Sequence, residues 1–253
     1  MPNLIAAEFA KLFSTRLWLW LLLASVGLVA LYAGLNIAFA DDPDNVTPPL
    51  NTPAGQQTLF AVAAGARPLI AVLGAIAITS EFRHKTATAT FLATPRRGQV
   101  VIAKLVTYAI AGVAYGIACI ASVIAISLPW LAAKNIDVTL TGNGIPTTLT
   151  GVVAAYAIFA LIGVAVGALI RDQVAAAVGL LIYLFVVEPI VTNIPALSSW
   201  TPYLPGSAGA ALTNITITNQ DFLAPWLGAL VLIGYSAVLA IAGTRLAVRR
   251  DVA

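Results

Sequence analysis

The chain of 253 residues is 60% hydrophobic and only 9% charged, with a mean hydropathy of +0.95. A soluble domain carries about 25% charged residues because its surface faces water, so soluble architectures are excluded. The net charge of +3 (Lys+Arg 13, Asp+Glu 10) says little as a sum; the positions of the charges say more.

A bilayer core about 30 Å thick takes roughly 20 apolar residues per helix. Lipid offers the backbone no hydrogen-bond partner, so spanning segments must be helices or closed barrels. Barrel strands alternate in polarity over about ten residues, and the apolar runs here are longer and unbroken. The expectation is an all-α integral membrane protein with one transmembrane domain over residues 1–253.

Residues 1–16 are too polar to span. Ile5, Phe9, Leu12 and Phe13 recur at helical spacing while Glu8, Lys11, Ser14 and Arg16 take other positions, which predicts a short helix in the headgroup region. Span 1 follows over about 17–39, then a polar loop with Pro43, Pro48, Pro49 and Pro53. Span 2 is expected over about 58–79, followed by a charged segment with Glu81, Arg83, His84, Lys85, Arg96 and Arg97. Span 3 is expected over 105–130, span 4 over 148–170, and span 5 over 173–192 after the tight Arg171-Asp172 connection. A longer stretch with Pro195, Pro202 and Pro205 leads to span 6, over 222–247.

On this plan Lys11, Arg16, Arg83, Lys85, Arg96, Arg97, Lys104, Arg171, Arg245, Arg249 and Arg250 share one face. The opposite loops hold Lys134 with Asp41, Asp42, Asp44, Asp137 and Asp221. Lys and Arg excess marks the cytoplasmic side, which predicts a multi-pass protein of the cytoplasmic membrane with both termini inside. One span more or fewer would scatter the asymmetry.

Glu8-Phe9-Ala10-Lys11-Leu12-Phe13-Ser14-Thr15-Arg16, directly before span 1, resembles the corresponding segment of type-2 ATP-binding-cassette (ABC) exporter permeases. The loop after span 2 is similar to theirs too. Glu81, Thr86, Leu92, Pro95, Arg97 and Lys104 stand where such permeases carry an acidic residue, a threonine, a leucine, a proline, an arginine and a lysine. The likeness covers the layout of the whole chain and is specific in these two segments; Lys85 departs from it, standing where the family often has glycine.

The resemblance implies a coupling helix between spans 2 and 3 that docks on a separate ATPase subunit through Glu81, Phe82, Arg83, Thr86, Thr90, Leu92, Pro95 and Arg97. Contacts from Glu8, Lys11 and Arg16 would add to it. ATP and magnesium would belong to that partner. Other implied partners are a second permease copy or a sibling permease and membrane lipids, with no nucleic acid.

Residues alone leave the loop more open. Thr86 to Phe91 alternates like a strand, but Ser80 suits a helix N-cap, Glu81 its first turn and Pro95 a boundary, which decides for a new helix starting after Ser80. Basic residues in the loop also serve as a topology signal on their own. No catalytic residue is expected. A phosphate-binding loop needs glycines before Lys-Thr, and the only Lys-Thr, Lys85-Thr86, follows His84 in a stretch without glycine. The sole cysteine, Cys119, excludes an intrachain disulfide, and the sole histidine, His84, argues against a histidine-rich metal site.

Arg67 and Glu188 fall inside spans 2 and 5, where a charge needs a partner or a wet cavity. Either they pair, Arg67 snorkels outward, or Arg67 lines the pathway. Gly112-x-x-x-Gly116 and Gly163-x-x-x-Gly167 allow close helix approach, within one subunit or across a dimer seam. Rival readings are an ion-coupled transporter or channel, a lipid-acting enzyme and a non-transporting scaffold. The first would rest on Glu188 alone, and the second lacks a catalytic set because His84 and Cys119 are far apart.

Overall fold

The computed structural model describes residues 2–42, 45, 47–83, 97–213 and 222–250, with the side chains of 97–98 and 244–250 left aside. Every regular element among them is helical, and six helices are long and apolar enough to cross a membrane. The protein is an all-α, multi-pass membrane protein.

An N-terminal helix, Pro2–Ser14, precedes span 1, Leu17–Ala38. Span 2 is the composite helix Pro53–Arg83, span 3 is Arg97–Ala133, and span 4 is Ile145–Ile170. Span 5 is Gln173–Thr192 and span 6 is Pro225–Arg250. Two short 3₁₀ turns, Pro195–Leu197 and Thr201–Tyr203, and the helix Pro205–Ala211 occupy the connection before span 6. Each of these short pieces has a proline in its first or second position, where a missing N–H costs no helical bond.

Spans 2 and 4 form the centre. Span 4 packs against spans 2, 3 and 6, span 1 lies on span 3, and span 5 lies on span 2. Small residues set these approaches. A methyl group at Gly163 would run into the Ala71 carbonyl, one at Gly167 into that of Ala75, and one at Gly112 into that of Tyr156. Both glycine motifs therefore bring helices together within one subunit. Tyr156, Phe159 and Phe60 fill the centre.

Trp20, Trp200, Tyr203 and Trp226 are exposed at span ends, as interfacial anchors are.

Spans 2 and 5 are both interrupted. In span 2 a 3₁₀ stretch, Val62–Ala66, precedes Arg67-Pro68. Pro68 has no N–H, and the Arg67 N–H bonds to Ala64 instead of Ala63. The Ala63 carbonyl also accepts from the Tyr156 hydroxyl at 3.0 Å. In span 5 a π-helical stretch, Tyr183–Val187, precedes Glu188-Pro189. Each interior charge thus sits at a helix irregularity created beside a proline.

The tight turn between spans 4 and 5 has a local cause as well. Arg171 ends span 4 in the left-handed region (φ 60°), and the Asp172 carboxylate caps span 5 by accepting from the Ala175 N–H at 2.7 Å. No slack remains between the two helices.

Candidate functional site

Four charges from three elements meet at the face that carries most of the Lys and Arg. The Lys104 ammonium, near the start of span 3, donates to Glu8 at 2.5 Å and to Glu81 at 3.0 Å. Lys11 donates to the same two carboxylates, at 2.6 Å and 2.9 Å. Two lysines and two glutamates therefore close a neutral ring. It ties the N-terminal helix to the end of span 2 and the start of span 3, the two elements that flank residues 84–96.

Glu8 is only 3% exposed and Lys104 only 4%. Withdrawing charges this far from water is expensive unless each is paired, and the ring pairs all four. Lys11 is the outermost member. Burial alone would lower its pKa, but its bonds to Glu8 and Glu81 outweigh that and hold it above the ordinary 10.5.

The ring corrects the expected face of the N-terminal helix. Glu8 points inward beside Leu12, while Phe13 is 55% exposed. The cause is Lys104, whose ammonium needs a carboxylate more than the bundle needs another apolar contact. Phe13 instead stacks with Phe9 and meets Trp18 edge-on at 5.1 Å, making an aromatic corner at the entrance to span 1.

A second correction concerns Ser80 and Glu81. They do not begin a new helix; span 2 stays helical through Arg83. Of the expected docking residues, Glu81 lies in the ring and Arg83 is exposed. Phe82 lies under the Arg171 guanidinium, 5.1 Å from the ring centre. Thr86, Thr90, Leu92 and Pro95, and with them the expected coupling helix, lie outside the described residues; Arg97 begins the helix of span 3. Arg16 is exposed at the junction of the N-terminal helix and span 1.

The interior charges meet through an intermediary. Glu188 accepts from the Gly206 and Ser207 N–H groups, each at 2.8 Å, and Arg67 donates to the Gly206 carbonyl at 2.8 Å. A second guanidinium nitrogen bonds to Ala64 at 3.1 Å, and the group also lies over Phe159. Arg67 therefore neither snorkels nor forms a direct ion pair with Glu188. Together they clamp the start of the helix Pro205–Ala211.

Sequence reading missed Arg171 as a partner of Phe82 and Gly206 as the link between Arg67 and Glu188. The available signals were the two charge-proline pairs, Arg67-Pro68 and Glu188-Pro189, each inside an apolar run. No family model and no curated protein matches the chain.

Proposed function

We propose that this chain is the permease subunit of a type-2 ABC exporter, which forms the pathway through the cytoplasmic membrane. A separate ATPase subunit supplies the energy, and both termini of the permease face the cytoplasm. The observation that carries the reading is the ring of Glu8, Lys11, Glu81 and Lys104. It joins the N-terminal helix, one of the two segments that resemble the family, to the end of span 2 and the start of span 3, which flank the other. A loop that must receive force from a partner needs a firm base, because a slack mounting would absorb the displacement. The distribution of Lys and Arg supports the orientation.

On this reading ATP-driven closure of the partner pushes on residues 81–97. The ring passes the movement to the N-terminal helix and span 3, and span 2 carries it directly. A permease dimer would place the pathway between copies, with spans 1, 2 and 5 around it.

The test is a photo-crosslinking residue at Arg83, which is exposed at the end of span 2. In cells of the native host it should capture a cytoplasmic ATPase subunit, and the same residue at exposed Trp226, at the opposite end of the bundle, should not. Capture of no ATPase from Arg83 contradicts the reading.

One observation favours a second reading. Interrupted spans bearing charged residues occur in ion-coupled transporters, where freed backbone groups and carboxylates hold the ion. Both Glu188 oxygens are already occupied by backbone N–H groups, so this reading ranks second. Ion-gradient-driven uptake by the purified chain alone would reverse the order.

A further inference from the structure

Spans 2 and 5 are antiparallel neighbours, and they are tied at both ends. At the basic face the Arg171 guanidinium, at the turn from span 4 into span 5, lies over Phe82 at the end of span 2. At the other face Arg67 of span 2 and Glu188 of span 5 both bond to Gly206. The lengths match: Arg67 to Phe82 is 15 residues and Arg171 to Glu188 is 17, or about 22 Å and 25 Å at 1.5 Å per residue. Each helix has its irregular stretch immediately beside the outer tie.

We propose that spans 2 and 5 work as a single two-ended unit in which Arg171 is a positioning residue, relaying a displacement of Phe82 through span 5 to the outer helix Pro205–Ala211. Three features make the relay stiff at one end and yielding at the other. Arg171 is fixed by its left-handed backbone, and the Asp172 cap starts span 5 without slack. Glu81, the neighbour of Phe82, is anchored in the ionic ring, so residues 81 and 82 are held from two sides. The 3₁₀ and π stretches, whose hydrogen bonds differ from the α pattern, sit directly before Arg67 and Glu188, so a bend there acts on the residues that hold the outer helix. One nitrogen of Arg171 is buried and has no hydrogen-bond partner among the described residues, so its hold on span 2 rests on the Phe82 ring. The proposal deepens the permease reading, since it names the route by which a push on the loop reaches the outer face. The tie itself can be tested without any partner.

Energetic coupling between distant ends must be measured as coupling. The sole cysteine is buried, so Cys119→Ser, which keeps an acceptor beside Tyr156, gives a clean background. Ala208→Cys places a reporter thiol on the buried outer helix. Its labelling by a membrane-impermeant maleimide, added to sealed native membranes of either orientation, reports opening of the outer segment.

Arg171→Ala is expected to raise the labelling rate roughly two- to fivefold, the size of a partly exposed cation–π contact. Arg171→Lys should fall between, and Glu188→Gln should raise the rate directly. A core reporter, Ala155→Cys, should stay unlabelled throughout. If Arg171→Ala exposes that core reporter, Phe82→Leu removes the ring more gently and replaces it in the comparison. Labelling of residue 208 that stays at the background rate in the folded inner-face variant overturns the proposal. So does a Glu188→Gln variant that leaves the rate unchanged. A failed proposal of this kind leaves capture of an ATPase at Arg83 untouched, so the two claims fail separately.

Discussion

Lys104 and Glu8 are 96 residues apart in sequence and 2.5 Å apart in space. Their bond makes the N-terminal helix part of the bundle instead of a loose membrane flank. Lys104 also holds Glu81, so one ammonium at the start of span 3 fixes the elements on both sides of the loop after span 2.

Removing that ammonium should therefore be severe. Lys104→Met leaves the buried Glu8 and the partly buried Glu81 undercompensated, with an expected cost of about 3–5 kcal/mol. Adding Glu8→Gln should recover part of it. Lys11→Met, at the exposed edge of the ring, should cost about 0–1 kcal/mol. Thermal unfolding in mild detergent separates the three, and equal losses for Lys104→Met and Lys11→Met would contradict the assigned roles.

The ring also has a pH signature. Lys11 has a folded pKa above its unfolded value of 10.5, so its contribution is fully present below that value. It is lost as pH rises through the higher folded pKa. The difference in Tm between the wild-type chain and Lys11→Met should stay constant from neutral pH to about pH 10 and shrink above it. A difference that grows with alkalinity would contradict the sign.

The glycines divide into two kinds. Gly163→Ala drives a methyl into the Ala71 carbonyl and should cost about 1–3 kcal/mol as overpacking. A methyl group at Gly179 would meet nothing within 4 Å beyond its own helix, so Gly179→Ala should be neutral or stabilising by about 0.5–1 kcal/mol. Detergent melting curves of the two variants give the comparison directly.

Arg67 and Glu188 should couple although they do not touch. Both hold Gly206, so losing either loosens the same helix. The double variant Arg67→Ala with Glu188→Ala should lose less stability than the two single losses summed, by about 0.5–3 kcal/mol. Strict additivity would mean the clamp does not act as a unit.

Much of this was legible in the sequence, and the boundary has a physical reason. Apolar length gives the spans, because the bilayer sets a thickness. The glycine spacings marked close approach, and Gly163 and Gly112 make it. The inward turn of Glu8 was not legible, because its partner Lys104 lies across two spans and amphipathic spacing treats every charge as outward. The route from Arg67 to Glu188 was hidden for another reason. It runs through the backbone of Gly206, and backbone groups leave no residue signature. The connection between Phe82 and Arg171 depends on the packing of span 5 on span 2, which no local pattern encodes.

The central claim is that this chain docks a separate ATPase subunit through its loop after span 2. The most direct measurement is mild-detergent affinity purification from the native host, followed by mass spectrometry and an ATP hydrolysis assay. Charge reversal at Arg97 serves as the loop variant. The account predicts a stoichiometric cytoplasmic ATPase subunit that is depleted by Arg97→Glu. A folded chain that purifies alone and without ATPase activity would contradict it.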